Sequence, residues 1–82
     1  MPVVYRRDGF VFRILPNDHQ PAHVHVQKAE AELRIDISSE EPRLLSVEGR
    51  ISNKQVRKAL MIAAQQQPLL LRHWEETRAS TL

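Results

Sequence analysis

The chain has 82 residues, no cysteine and a formal net charge of +2. A chain of this length holds one domain with one core, and the missing cysteine excludes disulfides and thiolate metal sites. No apolar run is long enough to cross a bilayer, and the first residues lack the apolar stretch of a signal peptide. We therefore expect a single cytoplasmic domain, residues 1–82, that does not enter the membrane.

The first half of the chain, about residues 3–47, has the two-residue periodicity of β-strands. Asp8-Gly9 is a turn signal, because these residues tolerate positive φ. Strands are predicted at 3–6, 10–15, 22–27, 30–37 and 44–47.

The second half predicts two helices, at about 52–66 and 68–78. Ser52 and Gln55 form a capping-box pattern, and Pro68 suits the first position of the second helix. The residues from Thr77 onward are expected to fray. Strands followed by helices indicate an α+β fold, with an antiparallel sheet of four or five strands and both helices packed on one face.

Alternation places a strip of polar side chains on the sheet face turned away from the helices, open to solvent or to a partner. His23 and His25 point the same way, about 7 Å apart. Strands next to theirs in sequence are expected to be neighbours in the sheet. Their side chains on this face are Arg13, Glu32, Arg34 and Asp36.

Three chemical uses of the histidines remain open from the residues alone. His23 and His25 could act as acid–base catalysts, with Glu32 or Asp36 as an orienting carboxylate, in a metal-independent ribonuclease. They could bind a metal with a third ligand from His19, Glu32 or Asp36. They could also bind RNA or a protein without chemistry, or simply pair with charged neighbours across the sheet.

The resulting hypothesis assigns catalysis to His23, His25 and Glu32, and expects no cofactor and no bound metal. Phosphate or partner contacts are assigned to the remaining strip residues and to a basic stripe on the first helix: Arg13, Arg34, Asp36, Lys54, Arg57 and Lys58. Gly9 and Gly49 are the only glycines, so the glycine-rich loops that bind nucleotide phosphates are absent.

Several segments give the chain a family resemblance over about residues 5–76. They are 7–12 (RDGFVF), 21–26 (PAHVHV), 45–52 and 69–76 (LLLRHWEE). With them the chain resembles the bacterial family catalogued as domain of unknown function 4160, in which the middle segment typically reads P-P-H-[IV]-H-V. Ala22 departs from that pattern, and Ala29 stands where the family often has glycine.

The resemblance implies a partner more clearly than an activity. Members of this family are often encoded beside a small protein of the family called domain of unknown function 2442, a pairing typical of toxin–antitoxin modules. The chain is thus expected to bind a small cognate protein and to act on RNA or the translation machinery. A non-catalytic regulatory module and self-association remain alternatives.

Overall fold

The computed structural model describes residues 3–80, without the side chain of Ser80, as a sheet followed by two helices. The strands are β1 (Val3–Arg7), β2 (Phe10–Arg13), β3 (His23–Lys28), β4 (Ala31–Asp36) and β5 (Arg43–Glu48), and the helices are α1 (Asn53–Gln65) and α2 (Gln67–Ser80). The α+β class predicted from the sequence is confirmed.

The five strands lie in chain order, and every neighbouring pair is antiparallel. Asp8 and Gly9 connect β1 to β2 at φ angles of 52° and 83°, as the turn signal indicates. Ala29 makes the β3–β4 turn at φ 53°. That conformation disfavours alanine relative to glycine, so the chain keeps the turn geometry at some cost in backbone strain.

One face of the sheet and the inner faces of both helices form the core. Val24 and Val26 of β3 are fully buried there, as alternation predicts. The helices contribute Ala59, Ile62, Ala63, Leu70 and Trp74, and the other strands contribute Phe10, Phe12, Leu33 and Ile35. The histidines of β3 therefore project from the opposite face.

The predicted cap of α1 is half formed. The Ser52 Oγ accepts the Gln55 backbone N–H at 3.1 Å, which satisfies one free donor of the first turn. The Gln55 Oε1 is buried without a hydrogen-bond partner among the described residues, so the reciprocal bond of the box is missing. α2 begins at Gln67, one residue before the predicted start at Pro68.

The prediction that the chain frays from Thr77 is wrong as far as the described residues extend. α2 continues to Ser80, and Arg78 donates hydrogen bonds to backbone carbonyls of the loop between β2 and β3. Positions 81–82 of the predicted tail lie outside the described residues. No helix in residues 3–80 is both long enough and apolar enough to cross a bilayer.

Candidate functional site

β3 presents the two histidines on the same side of the sheet. His23 is its first residue and His25 its third, so alternation turns both rings away from the core. The ring centroids are 5.3 Å apart, with the planes inclined at 61°. The two imidazoles are therefore close enough to share a ligand or a charge.

Asp18, in the loop 14–22 between β2 and β3, completes the site. Its Oδ2 lies 3.1 Å from the His25 Nε2 and 3.5 Å from the His23 Nε2. The three side chains are only 10–13% exposed. We call these three residues the Asp18 cluster; one nitrogen or oxygen from each lies within 4.8 Å of the other two.

α2 holds the loop that carries Asp18. The Arg78 guanidinium donates to the backbone carbonyls of Leu15 at 2.6 Å, Pro16 at 3.0 Å and Asp18 at 2.8 Å. The Leu15 N–H in turn donates to the Asp18 Oδ2 at 3.2 Å. The loop that carries the carboxylate is thus held by Arg78, a residue of the tail that was expected to fray.

Trp74 connects this clamp to the histidines. Its ring lies 5.4 Å from the His23 ring, and the Arg78 guanidinium stacks 4.0 Å from the Trp74 ring centroid. Such a cation–π contact keeps a guanidinium in place beside an apolar surface. Trp74 therefore belongs to the core and also forms a wall of the site.

Nδ1, the ring nitrogen of each imidazole that does not face Asp18, also lies near an acceptor. The His23 Nδ1 donates to the Pro21 carbonyl at 3.0 Å, and because a carbonyl only accepts, this nitrogen carries a proton. The His25 Nδ1 lies 3.6 Å from the Glu32 Oε2. The expectation that Glu32 approaches a histidine thus agrees with the geometry.

Arginines stand on both sides of His25 in the sheet. Arg13 on β2 and Arg34 on β4 are its cross-strand partners. Arg13 Nη1 donates to Gln27 at 2.7 Å, and Arg34 Nε donates to Ser46 at 3.1 Å. A guanidinium has five N–H donors, so each retains donors for an anion.

Two clefts flank the Asp18 cluster. One of about 320 Å³ is lined in part by Arg13, His25 and Glu32. The other, of about 290 Å³, is lined in part by Asp18, His23 and Arg34. Each cleft therefore joins part of the cluster to one arginine.

Asp36 is the cross-strand partner of His23, but its carboxylate interacts with other residues. Its Oδ1 accepts the Ser38 N–H at 2.7 Å and the Ser38 hydroxyl at 2.6 Å, and Arg43 lies 3.5 Å from Oδ2. The Ser38 hydroxyl is the main reason that the pKa of Asp36 is lowered, against the opposing effect of burial. Among the described contacts, Asp36 orients neither histidine.

The prediction of an open polar face is wrong for His23 and Asp36, which are only 8% and 3% exposed. The loop 14–22 and Trp74 cover this end of the sheet, which two-residue alternation cannot reveal. Arg34 and Glu32 are exposed as predicted, while Arg13 is half-buried and the His25 side chain is only 13% exposed.

The basic stripe on α1 does not join the site. Lys58 lies 3.3 Å from Asp8, whose turn is at the opposite end of β2 from loop 14–22. Lys54 and Arg57 are exposed on the same helix, which packs on the other face of the sheet. His73 is also separate, 3.7 Å from Glu76 on α2.

Comparison with known proteins places the whole cluster inside one family. The family model described as "Domain of unknown function (DUF4160)" matches residues 9–75, which include loop 14–22 and β3 but not Arg78. No curated protein and no solved structure matches the chain significantly. Since the match spans most of the sequence, the chain belongs to the DUF4160 family.

Proposed function

We propose that the chain is the RNA-directed component of a two-gene toxin–antitoxin module and works in the cytoplasm, with His25 as its general base. The row of Arg13, His25 and Arg34 on adjacent strands carries this proposal. Guanidinium groups pair bidentately with phosphate oxygens, and an imidazole titrates near neutrality. A phosphodiester lying across these strands would meet a cation on each side of the imidazole.

His25 suits proton transfer because carboxylates lie on both sides of its ring. With a proton on Nε2 the ring donates to Asp18, which orients the imidazole and stabilises the imidazolium. Nδ1 then faces the cleft that Arg13 and Glu32 line. There it would take the proton of an RNA 2′-hydroxyl.

The reaction that follows is transphosphorylation. The 2′-oxygen attacks phosphorus while the bond to the 5′-oxygen breaks, giving a 2′,3′-cyclic phosphate and a 5′-hydroxyl whose proton comes from water. Arg13 stabilises the negative charge that develops on the phosphoryl oxygens.

His23 has a positioning role in this scheme. Its Nδ1 already donates to Pro21, and its ring is covered by Trp74. It also shares one carboxylate with His25, whereas the acid and base of an in-line displacement act on opposite sides of phosphorus. We therefore assign proton transfer to His25 alone.

Cleavage of a labelled RNA in EDTA tests the proposal. His25→Ala is expected to lower the rate about 10²–10⁴-fold, the usual contribution of a general base. His73→Ala, which removes the histidine on α2, should leave the rate unchanged. Equal rates for wild type and His25→Ala, or no cleavage and no growth arrest from soluble wild-type protein, would contradict it.

Exposed apolar residues on β5 favour a second candidate function, a binding module for a cognate protein. β5 is an edge of the sheet, and Leu44, Leu45 and Val47 are 39–46% exposed. An edge strand with free backbone groups can accept a strand from another chain. The partner proposed for it is the small neighbouring protein that the family resemblance implies.

Co-purification with that neighbouring protein tests the binding function. Val47→Lys should weaken the complex, because charge on an edge strand opposes strand addition, and should leave RNA cleavage unchanged. A dimer of the chain alone that Val47→Lys dissociates would instead identify a second copy as the occupant of this edge.

A further inference from the structure

We infer that the Asp18 cluster is a binding site for a divalent transition metal of the Zn²⁺ class. The inference goes beyond the proposed RNA chemistry and does not depend on it. Two imidazole nitrogens and one carboxylate oxygen converge in the loop-covered end of the sheet. Imidazole and carboxylate together are typical Zn²⁺ ligands, whereas Mg²⁺ and Ca²⁺ prefer oxygen alone.

The proton on His23 is the first argument. Because Nδ1 donates to the Pro21 carbonyl, a neutral His23 has only a lone pair on Nε2. The Asp18 Oδ2, which is also an acceptor, lies 3.5 Å from this nitrogen. Two acceptors face each other favourably only when a cation lies between them or when the imidazole becomes charged.

The distances are the second argument. Tetrahedral Zn²⁺ with bonds of about 2.0–2.2 Å holds its ligand atoms about 3.4 Å apart. Asp18 Oδ2 lies 3.1 Å from one Nε2 and 3.5 Å from the other. The carboxylate oxygen therefore lies close to tetrahedral spacing from both nitrogens, and the three ligand atoms are all within 4.8 Å of one another.

The surroundings of the ligands are the third argument. Metal-binding histidines usually donate their other N–H to a carbonyl or carboxylate, which fixes the tautomer. Pro21 supplies the carbonyl for His23, and Glu32 supplies a carboxylate beside the His25 Nδ1. The Leu15 N–H donates to the Asp18 carboxylate, and the Arg78 clamp holds the backbone of the loop that carries it.

The two clefts provide access and a free coordination position. They bring solvent to the cluster from both sides, so a water can take the fourth place of a tetrahedral ion. Metal binding needs the lone pair on the His25 Nε2, which in the proposed RNA chemistry carries a proton. Zn²⁺ and that proton therefore exclude each other, and Zn²⁺ is expected to inhibit the metal-independent cleavage.

Titration of untagged protein with Zn²⁺ at neutral pH tests the site. We expect one Zn²⁺ per chain, and nitrogen NMR shifts that assign binding to Nε2 of His23 and His25. Affinity should fall at acidic pH, where protons compete for these nitrogens. The NMR measurement uses wild-type protein, so it decides the question even where a variant does not fold.

Three variants give a graded control. Glu32→Gln, which removes an outer carboxylate, should weaken Zn²⁺ about 10–100-fold, and Asp18→Asn should weaken it by more than that. His73→Ala should bind Zn²⁺ as wild type does. Substoichiometric binding, shifts confined to other histidines, or both rings staying imidazolium in excess Zn²⁺ would overturn the inference.

The two proposals fail separately. RNA cleavage that proceeds in EDTA and is inhibited when Zn²⁺ is added in place of EDTA supports both the RNA chemistry and the metal site. Stoichiometric Zn²⁺ binding to a protein that cleaves no RNA supports the metal site alone. Cleavage that requires Zn²⁺ also supports the metal site, and it would remove His25 from the role of general base.

Discussion

Two loops meet at the end of the sheet where β3 begins, and each has a largely buried aspartate beside it. Loop 14–22 carries Asp18, and loop 37–42 follows Asp36 directly. The Ile37 N–H joins the loops by donating to the Ala22 carbonyl at 3.0 Å. They are neighbouring and similarly covered, so the difference between their carboxylates reflects what each one contacts.

α2 clamps both loops with side chains from its two ends. Arg78 donates to three carbonyls of the first loop, and Gln67 donates to the carbonyls of Ile37 at 2.8 Å and Ser39 at 2.6 Å in the second. The helix therefore fixes the spacing between the two aspartates as well as covering the core.

The carboxylates differ in their partners. The Asp36 Oδ1 receives two donors from Ser38, so its charge is satisfied within its own loop. The Asp18 Oδ2 receives one backbone donor and faces two ring nitrogens that can gain or lose protons or bind a metal. Burial alone does not mark a functional carboxylate; unsatisfied or exchangeable partners do.

Removing the Arg78 clamp on loop 14–22 should have the largest effect on stability. Arg78→Ala deletes three hydrogen bonds from a charged donor and is expected to lower the free energy of unfolding by about 2–4 kcal/mol. Zn²⁺ affinity should fall with it, because Asp18 is no longer held. Urea denaturation measures the first effect, and Arg72→Ala, on the exposed side of α2, should change stability by less than about 0.5 kcal/mol.

Removing the charge of Asp36 should have the second-largest effect on stability. Asp36→Asn should cost about 1.5–3 kcal/mol at neutral pH, the usual contribution of hydrogen bonds to a charged group. Because the Ser38 hydroxyl lowers the pKa of Asp36 in the folded state, this contribution is complete above the unfolded value of about 4. It is lost as the pH falls through the lower folded pKa.

Urea denaturation of wild type and Asp36→Asn at neutral and acidic pH measures this difference, which should shrink on acidification. Asp8→Asn is the matched control, since Asp8 is exposed and asparagine tolerates its φ of 52°. If the difference in unfolding free energy between wild type and Asp36→Asn is unchanged at acidic pH, the charge on Asp36 is not what stabilises loop 37–42.

Most of the fold could be predicted because the strands follow a two-residue pattern that repeats along the sequence. The two-residue periodicity of the first half predicted the strands, and the spacing of His23 and His25 predicted that they lie on the same side of the sheet. Each of these statements concerns neighbours along one element, where a period of two residues is sufficient.

The rest depends on contacts between distant segments that no period encodes. Asp18 lies in a polar loop between prolines, where one carboxylate looks like any other in the sequence. Arg78 reaches that loop across some sixty positions, and the burial of His23 results from the same packing. The only signal in the sequence was a conformationally restricted loop, Pro16 to Pro21, leading directly into the histidine strand.

Removing the Gln67 clamp on loop 37–42 should have a smaller effect on stability and should spare the Asp18 cluster. Gln67→Ala removes two neutral hydrogen bonds to loop 37–42 and should cost about 1–2 kcal/mol of unfolding free energy. Zn²⁺ affinity should stay within experimental error, because Asp18 keeps Arg78. A loss of affinity as large as that of Arg78→Ala would mean that the bond between Ile37 and Ala22 makes the two loops one unit.

Asp18→Asn should have the smallest effect on stability and a large effect on binding. The amide oxygen can still accept the Leu15 N–H, and the amide nitrogen can donate to a lone pair on an imidazole Nε2, so the stability change should stay within about 1 kcal/mol. The loss of charge removes the metal ligand and the group that stabilises the His25 imidazolium. Urea denaturation and Zn²⁺ titration of the same preparation measure both. A stability loss equal to that of Asp36→Asn, with Zn²⁺ binding intact, would make Asp18 a structural carboxylate like Asp36 and remove the distinction between the two loops.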